Sequence, residues 1–243
     1  MEEYLYPHFY DVEKSHWWFA ARRDILLEYL DRRVRPAKST RILDVGCGTG
    51  AILEEFARRY TAFGLDFSSS AIDFCRRRGL PNLFAGTLAE YRVDVPFDII
   101  TMLDVVEHVD DDLALLRDGH GLLREGGAIL ITVPAFPSLW SGHDVELHHK
   151  RRYRKAQLKA VVEAAGFRID HLTYFNCFLL PVAVGKRSLA KLLRTEEASD
   201  LDLPAAPVNA VLRRIFAFER YLLPSASLPF GLSLLCLGRK HAA

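Results

Sequence analysis

The sequence has few of the features that mark secreted, zinc-binding or membrane-spanning proteins. Its four cysteines lie far apart, at Cys47, Cys75, Cys177 and Cys236. Because no C-x-x-C pair or close cysteine–histidine spacing occurs, neither a zinc site nor a disulfide framework is indicated. No run of about twenty apolar residues is present, which predicts no transmembrane span, and the acidic residues 1–4 lack the form of a signal peptide. We therefore expect a cytoplasmic protein.

An excess of charge of one sign is also lacking. The 243 residues include 32 lysines and arginines against 31 aspartates and glutamates, for a formal net charge of +1. With this balance the chain has no overall excess of positive charge for binding nucleic acid, so we expect no nucleic-acid partner. Hydrophobic residues make up 50% of the chain, which suits one globular domain with a large core and an insertion.

A glycine-rich turn between a predicted strand and a predicted helix is the most informative feature of the sequence. Residues 42–45 are mostly apolar and predict a short buried strand. Gly46, Gly48 and Gly50 follow at alternate positions, and residues 51–60 have the apolar spacing of a helix. Glycines allow positive φ and a close approach of a ligand to the backbone. The helix N-terminus adds free N–H groups, so the unit predicts a ligand site.

Two classes of ligand fit such a turn. A dinucleotide would place its pyrophosphate on the helix N-terminus in a G-x-G-x-x-G arrangement, but here the glycine pattern ends one residue early at Gly50. Asp44 at the strand end would repel a pyrophosphate and could hold an ammonium group. A zwitterionic ligand that carries a nucleoside therefore fits the turn better than a dinucleotide does.

The string D-V-G-C-G-T-G over residues 44–50 resembles the first motif of the class I S-adenosylmethionine-dependent methyltransferases. A second string, residues 104–109, resembles the segment after the fourth strand in small-molecule members, including the quinone O-methyltransferases. The resemblance implies methyl transfer from S-adenosylmethionine to a small-molecule acceptor. It implies an α/β fold, with a Rossmann-like seven-stranded, mostly parallel sheet, helices on both faces and an antiparallel last strand. A non-catalytic cofactor-binding subunit and an NAD-dependent oxidoreductase remain as alternatives.

The same resemblance assigns the cofactor residues. Asp66 ends the second predicted strand about twenty residues after the turn, where it would bind the ribose, and Phe67 would lie beside the adenosine. Thr87 stands where the family often has an acid for the adenine, so Thr87, the Leu88 backbone or Glu90 could serve. The predicted cofactor residues are Asp44, Gly46, Cys47, Gly48, Gly50, Asp66, Phe67, Thr87, Leu88 and Asp104.

Two histidines are candidate general bases for a hydroxyl or protonated-amine acceptor. His108 follows the fourth predicted strand, at the sheet edge where ligands bind, and the unperturbed pKa of histidine is near neutrality. Alternatively, Glu107 and His108 fix this loop or orient the methionine end of the cofactor. His143 is the second candidate, with the adjacent Asp144 as its orienting carboxylate.

The acceptor is expected to contact a long loop over residues 135–153 and an aromatic N-terminal segment. Loops of this length at a strand's carboxyl end tend to be functional, and arginine binds anionic groups in bidentate pairs. The aromatic segment either covers the site or packs on the core. The predicted acceptor residues are Tyr10, His16, Trp17, Trp140, His148, Arg152 and Tyr153. We expect no metal site, because the histidines of the loop lack the spacing of a helical H-x-x-x-H pair.

Three parts of the chain are expected from these patterns. Residues 1–40 form a helical N-terminal lid, and residues 41–176 with 231–243 form the methyltransferase domain. Residues 177–230 form a helical cap inserted before the last strand. Helices between residues 182 and 222 are amphipathic and carry basic side chains, so they pack on the domain, pack on a second copy of the chain in a homodimer, or contact a membrane surface peripherally.

Overall fold

Successive side chains of each strand point to opposite faces of a single central sheet. The computed structural model describes residues 3–185 and 203–241. Its sheet has seven strands in the order β3-β2-β1-β4-β5-β7-β6. The strands are β1 (Arg41–Val45), β2 (Thr61–Asp66), β3 (Leu83–Ala85), β4 (Phe97–Leu103), β5 (Leu123–Pro134), β6 (Phe167–Phe175) and β7 (Ser233–Lys240).

Helices precede, connect and follow the strands. They are α1 (Leu5–Val12), α2 (Trp17–Arg33), α3 (Ala51–Ala57), α4 (Ser69–Arg77), α5 (Asp112–Leu122), α6 (Gly142–Glu146), α7 (Lys155–Ala164) and α8 (Ala206–Ala217). The α2 helix has the bounds that the apolar stripe of Trp18, Ile25, Leu26, Tyr29 and Leu30 predicts for it. The α4 helix begins after Ser68, whose hydroxyl accepts a 3.3 Å hydrogen bond from the Ala71 backbone N–H as an N-cap.

The strand directions define where ligands bind. Strands β1 to β5 are parallel to one another, whereas β7 is antiparallel to both β5 and β6. The predicted Rossmann-like sheet with an antiparallel last strand is therefore confirmed. Strands β1 and β4 are neighbours from which the chain proceeds in opposite directions, and such a switch point forms a ligand crevice at the carboxyl ends of the strands.

The core has two halves, one on each face of the sheet. In β1, Ile42 packs with α2, α3 and α8, and Leu43 packs on the opposite face with α5 and α7. This alternation is the period of two expected for a strand that is covered on both sides.

The fifth strand differs from its prediction. Gly126 and Gly127 are predicted to turn the chain into a strand at Ala128, but β5 begins at Leu123. Between the pairs Phe97–Leu123 and Ile99–Ala128, β4 advances by two residues and β5 by five. The surplus residues of β5 form an irregular bulge, in which Gly126 has a positive φ of +71°. The pairing of β5 with β4 resumes after this bulge.

The N-terminal helices and α8 cover one face of the sheet. The Trp17 ring lies 6.2 Å from the Phe216 ring of α8, and the Trp17 backbone N–H donates to Asn209 Oδ1 at 2.7 Å. The inward side of α8 is thus packed on the domain, whereas Val208 and Val211 on its outer side are exposed. No helix in the described ranges is long and apolar enough to cross a membrane.

The predicted cap over residues 177–230 is described only in part. Residues 186–202, and with them most of the helix predicted over residues 182–194, lie outside the described residues. The boundaries of the lid and cap, the homodimer and the peripheral membrane contact stay predictions.

A buried histidine ties α2 to the outer strand β6. The Nδ1 atom of His171 lies 2.7 Å from the Tyr29 hydroxyl, and its Nε2 atom lies 2.9 Å from Ser227 Oγ. Burial, with the positive charge of Arg33, lowers the pKa of His171 to about 4. The folded chain therefore binds a proton at this site less readily than the unfolded chain does.

We predict that stability falls as the pH drops from about 6.5 to about 4, and that His171 contributes to this fall. The unfolded state takes up the proton first, so wild type should lose about 2 kcal/mol more than His171→Gln between pH 7 and pH 4.5. Urea unfolding at the two pH values measures the difference. An equal loss in both proteins would contradict the assignment.

Candidate active site

The turn after β1 is shaped so that its backbone faces an open crevice. Gly46, Gly48 and Gly50 have positive φ values of +68°, +55° and +89°. A Cβ on Gly46 would lie 2.5 Å from Val105 Cγ2, whereas a Cβ on Gly48 would meet no atom within 4 Å. Gly46 is therefore needed for packing against the loop after β4, and Gly48 presents bare backbone to the crevice.

A cavity of about 120 Å³ lies in front of this turn. Its walls come from the turn, the start of α3, the end of β4 and the N-terminal helices. The lining residues are Phe9, Glu13, Phe19, Arg22, Arg23, Asp44, Gly46, Cys47, Gly48, Thr49, Ala51, Ile52 and Leu103.

Two buried groups of opposite charge face this cavity, and each keeps one polar atom without a hydrogen-bond partner in the described ranges. Asp44 is 1% exposed; its Oδ1 accepts from Thr101 at 2.6 Å and its Oδ2 has no partner. Arg22 likewise has a buried Nε without a partner. An acceptor and a donor of this kind match an ammonium and a carboxylate, the two charged groups of an α-amino acid.

The pKa of Asp44 is set mainly by its burial. Burial raises the pKa to about 7, while the Thr101 hydroxyl and the positive charge of Arg22 act in the opposite direction. The carboxyl group is therefore partly protonated near neutral pH and gains from a bound cation.

Arg22 is a site residue that the sequence reasoning missed. Its helical position predicts a solvated side chain, but that side chain is only 11% exposed and its Nη2 lies 2.7 Å from Asp104 Oδ2. Nη2 also donates to Thr132 Oγ1 at 2.9 Å. The burial of Arg22 depends on tertiary structure, because α2 lies across the carboxyl ends of β4 and β5. Glu13 was also missed; it pairs with Thr49 and Arg78 at the same cavity.

Asp66 lies behind the turn and holds two loops together. Its Oδ2 accepts from the Gly48 backbone N–H and its Oδ1 accepts from the Ser68 backbone N–H, both at 2.9 Å. Each carboxyl oxygen keeps a further lone pair for a hydroxyl group. Phe67 beside it is 70% exposed, and Thr87 is exposed and bonded to Glu90.

A second cluster of polar side chains lies next to the cavity, past Asp104. The 3₁₀ turn Val106–His108 follows β4 and brings Glu107 and His108 to His149 of the long loop. The ring centroids of His108 and His149 are 4.8 Å apart, and those of His143 and His149 are 6.2 Å apart.

Burial sets the charges of this cluster. Burial and the neighbouring His149 lower the pKa of His108 to about 4, so its imidazole is neutral at pH 7. Burial and the negative charge of Asp104 hold the pKa of Glu107 well above its ordinary value. For Asp144, burial acts upward, but hydrogen bonds from His149 and Arg152 outweigh it and hold the pKa well below its usual range.

A family described as a methyltransferase domain matches residues 16–172 of this chain. That span is more than half of the sequence and contains the turn, Asp66, Asp104 and the histidine cluster. The chain belongs to this methyltransferase family.

Individual relatives agree with the family. A ubiquinone biosynthesis O-methyltransferase of Xanthomonas axonopodis pv. citri (strain 306) is 28% identical in an alignment 193 residues long that covers 65% of this chain and 78% of the relative. A probable S-adenosylmethionine-dependent methyltransferase of Mycolicibacterium smegmatis is 27% identical in an alignment 166 residues long that covers 65% of this chain and 62% of the relative. A crystal structure of an S-adenosylmethionine-dependent methyltransferase from Archaeoglobus fulgidus covers 89% of this chain and 94% of its own, with a TM-score of 0.56 and 24% identity, and shows the same fold.

The family match and these relatives show an S-adenosylmethionine-dependent methyltransferase that acts on a small molecule. The predicted cofactor and reaction class are therefore confirmed, and the non-catalytic subunit and the NAD-dependent oxidoreductase are set aside. The residues of the cavity fit this cofactor. Asp44 and Arg22 match the ammonium and carboxylate of its methionine part, and Gly48 leaves room at the backbone. Asp66 and Phe67 do not line the cavity, and their roles at the ribose and the adenosine stay predictions. Of the predicted cofactor residues, Asp44, Gly46, Cys47 and Gly48 line the cavity.

The predicted acceptor residues are not brought together at the methyltransferase cavity, and none of the seven lines it. Tyr10 packs on Phe74, His16 is the N-cap of α2, and Trp17 packs on α8. Trp140 and His148 are exposed on the surface of the loop.

Arg152 and Tyr153 both have acidic partners within the protein. Arg152 is 7% exposed and its Nε donates to Asp144 Oδ1 at 2.7 Å, while the Tyr153 hydroxyl donates to Asp112 Oδ2 at 2.6 Å. These contacts fix the loop, and a role of the two side chains at the acceptor stays a prediction.

We predict that the affinity for S-adenosylhomocysteine increases about tenfold as the pH rises from 6 to 8. The reason is that Asp44 ionises near pH 7 and then attracts the ligand's ammonium group. Calorimetric titration at both pH values measures the effect. In Asp44→Asn the affinity should be low and should not change with pH, whereas Asp73→Asn, a change at an exposed acid of α4, should behave as wild type. A pH response that persists in Asp44→Asn would contradict this role.

Proposed function

We propose that this methyltransferase transfers the methyl group to an oxygen of a small molecule bound beside the histidine cluster. The observation that carries the proposal is the position of His108, which is half-buried after the carboxyl end of β4 in a cluster with His143 and His149. A hydroxyl acceptor must lose its proton during transfer, and an unprotonated imidazole can take it. His143 lies in the same cluster and is the second candidate for this role.

The chemistry of the proposed reaction divides between cofactor and protein. S-adenosylmethionine supplies an electrophilic methyl group on a sulfonium sulfur, which keeps the bonding electrons when the methyl group leaves. The acceptor oxygen forms the new bond to carbon, and its proton passes to a histidine of the cluster. The protein chiefly positions oxygen, carbon and sulfur in line at near-attack distance.

The relatives support oxygen as the acceptor atom. The Xanthomonas relative is named as an O-methyltransferase of ubiquinone biosynthesis, and its alignment with this chain covers 78% of its length at 28% identity. An alkylcatechol is therefore a suitable probe, and the matching alkyl diaminobenzene tests nitrogen in the same ring geometry.

We predict that the methyltransferase converts 4-methylcatechol to a methyl ether and leaves 4-methyl-1,2-diaminobenzene unmodified, as measured by transfer of a labelled methyl group. His108→Gln should lower turnover about a hundredfold with little change in affinity for S-adenosylhomocysteine, and His143→Gln should lower it less. His120→Gln, a change on α5 outside the cluster, is the control.

Transfer to the diamine alone, or to neither compound, would contradict the oxygen proposal. If the turnover of His108→Gln and His143→Gln fell by no more than their affinity for S-adenosylhomocysteine, the histidine cluster would have no part in proton transfer.

A further inference from the structure

The α8 helix has two apolar sides, and its inner side packs on the domain. On that side Phe216 is buried against Trp17 and Phe175, with ring centroids 6.2 and 6.0 Å away. Asn209 holds the start of the helix, because its Oδ1 accepts from the Trp17 backbone N–H at 2.7 Å and its Nδ2 donates to the Ser15 carbonyl at 3.0 Å. These contacts fix α8 through its inner side.

The outer side of α8 carries a stripe of exposed apolar side chains. The stripe consists of Val208, Val211, Ile215 and Phe218, which are between 39% and 53% exposed. Their spacing of three, four and three residues places them on one side of a helix. A contiguous exposed apolar surface of this kind marks a contact with a partner or with a membrane.

Aromatic side chains extend the stripe past the end of α8. The Phe218 ring lies 6.0 Å from the ring of Phe178 and 6.0 Å from the ring of Tyr221, and all three side chains are about half exposed. Tyrosine is enriched at the level of lipid headgroups, and phenylalanine is common on the apolar side of helices that lie in this interface. The composition of the stripe therefore suits the boundary between water and lipid.

Arginines line a groove beside the stripe. The groove has a volume of about 480 Å³ and lies between α2 and α8, and its walls include Asp24, Arg213, Arg214, Phe218, Arg220 and Tyr221. The Arg220 Nη2 donates to the Tyr221 hydroxyl at 2.6 Å, and its guanidinium lies 4.7 Å from the centre of the Tyr221 ring. Arg214 is exposed and forms no ion pair with any described residue.

The acids near this groove leave it positively charged. The negative charges of Asp24 and Glu28 act on Arg220, but each acid is already paired. Asp24 Oδ2 lies 3.1 Å from Arg213 Nη2, and Glu28 Oε1 lies 2.5 Å from Arg32 Nε. The charges of Arg214 and Arg220 are thus left for an anionic partner next to an apolar surface.

A second copy of the chain fits this surface less well than a lipid surface does. In a two-fold contact centred on the stripe, residues near the centre meet their own counterparts, so Arg213 and Arg214 would bring like charges together. The stripe covers residues 208–218, which is about 15 Å of helix and roughly 150–180 Å² of surface. A stable protein interface buries about 800 Å² on each partner.

We propose that the outer side of α8, with the arginine groove beside it, docks on the surface of a bilayer that contains anionic phospholipid. The helix has 12 residues, fewer than the roughly 20 that a bilayer requires, so it lies in the plane of the interface. The stripe enters the boundary between headgroups and acyl chains, and Arg214 and Arg220 contact lipid phosphates. This inference goes beyond the proposed O-methylation and does not rest on it.

The test is flotation of the whole protein with vesicles of phosphatidylcholine alone and with vesicles that also contain phosphatidylglycerol. Wild type should bind the vesicles that contain phosphatidylglycerol, and added salt should weaken this binding. Joint replacement Val208→Ser and Val211→Ser should lower the partition coefficient about tenfold, and Arg214→Gln should lower it about fivefold.

Matched changes outside α8 serve as controls. Val95→Ser replaces an exposed valine of the segment before β4, and Arg117→Gln replaces an exposed arginine of α5. Both proteins should bind vesicles as wild type does. The affinity for S-adenosylhomocysteine should be unchanged in every variant, which shows that each is folded and separates this test from the test of O-methylation.

Wild type that binds neither kind of vesicle, or that binds both equally, would overturn the proposal. Binding that is retained in full by both the serine variant and Arg214→Gln would overturn it as well. Analytical ultracentrifugation tests the second copy. A dimer that the serine variant loses, in a protein that binds no vesicle, would make a second copy of the chain the partner of this surface.

Discussion

Two opposite charges buried on either side of one cavity are the constraint on which the active site depends. Asp44 ends the central strand β1 and Arg22 comes from the N-terminal helix α2. Asp44 is 1% exposed and the Arg22 side chain 11% exposed, and each has a buried polar atom that the described protein leaves without a partner. A buried polar group in this state is costly, so the site gains when a ligand supplies both an ammonium and a carboxylate.

Arg22 also connects the cofactor cavity with the histidine cluster. Its guanidinium pairs with Asp104, and the negative charge of Asp104 acts on both Glu107 and His108. Because the two sites share this pair, a ligand that reorients Arg22 would change the electrostatic surroundings of the histidine cluster. The N-terminal helix is therefore a wall of the active site as well as a cover of the sheet.

The apolar run of β1 and the glycines after it were enough to predict the strand and its turn, because both act through neighbours in sequence. The seven-stranded sheet was implied by the resemblance to a known family, and the structure confirms it. Arg22 could not be found in this way, because its burial depends on how α2 crosses the ends of β4 and β5. Arginine is a residue type that commonly binds anions, but the partner of Arg152 in the folded loop is Asp144. The bulge in β5 likewise reflects pairing with β4 and not the local turn signal of its glycines.

The most direct test of this account compares S-adenosylhomocysteine with 5′-methylthioadenosine, which has the nucleoside but no amino acid group. Calorimetry on Arg22→Gln should show at least a tenfold loss of affinity for S-adenosylhomocysteine, as expected for a lost charge-assisted hydrogen bond. The affinity for 5′-methylthioadenosine should be unchanged, and Arg32→Gln, at an exposed arginine of the same helix, should bind both ligands as wild type does. Equal losses for the two ligands, or no loss for either, would contradict the assignment of the cavity to the amino acid half of the cofactor.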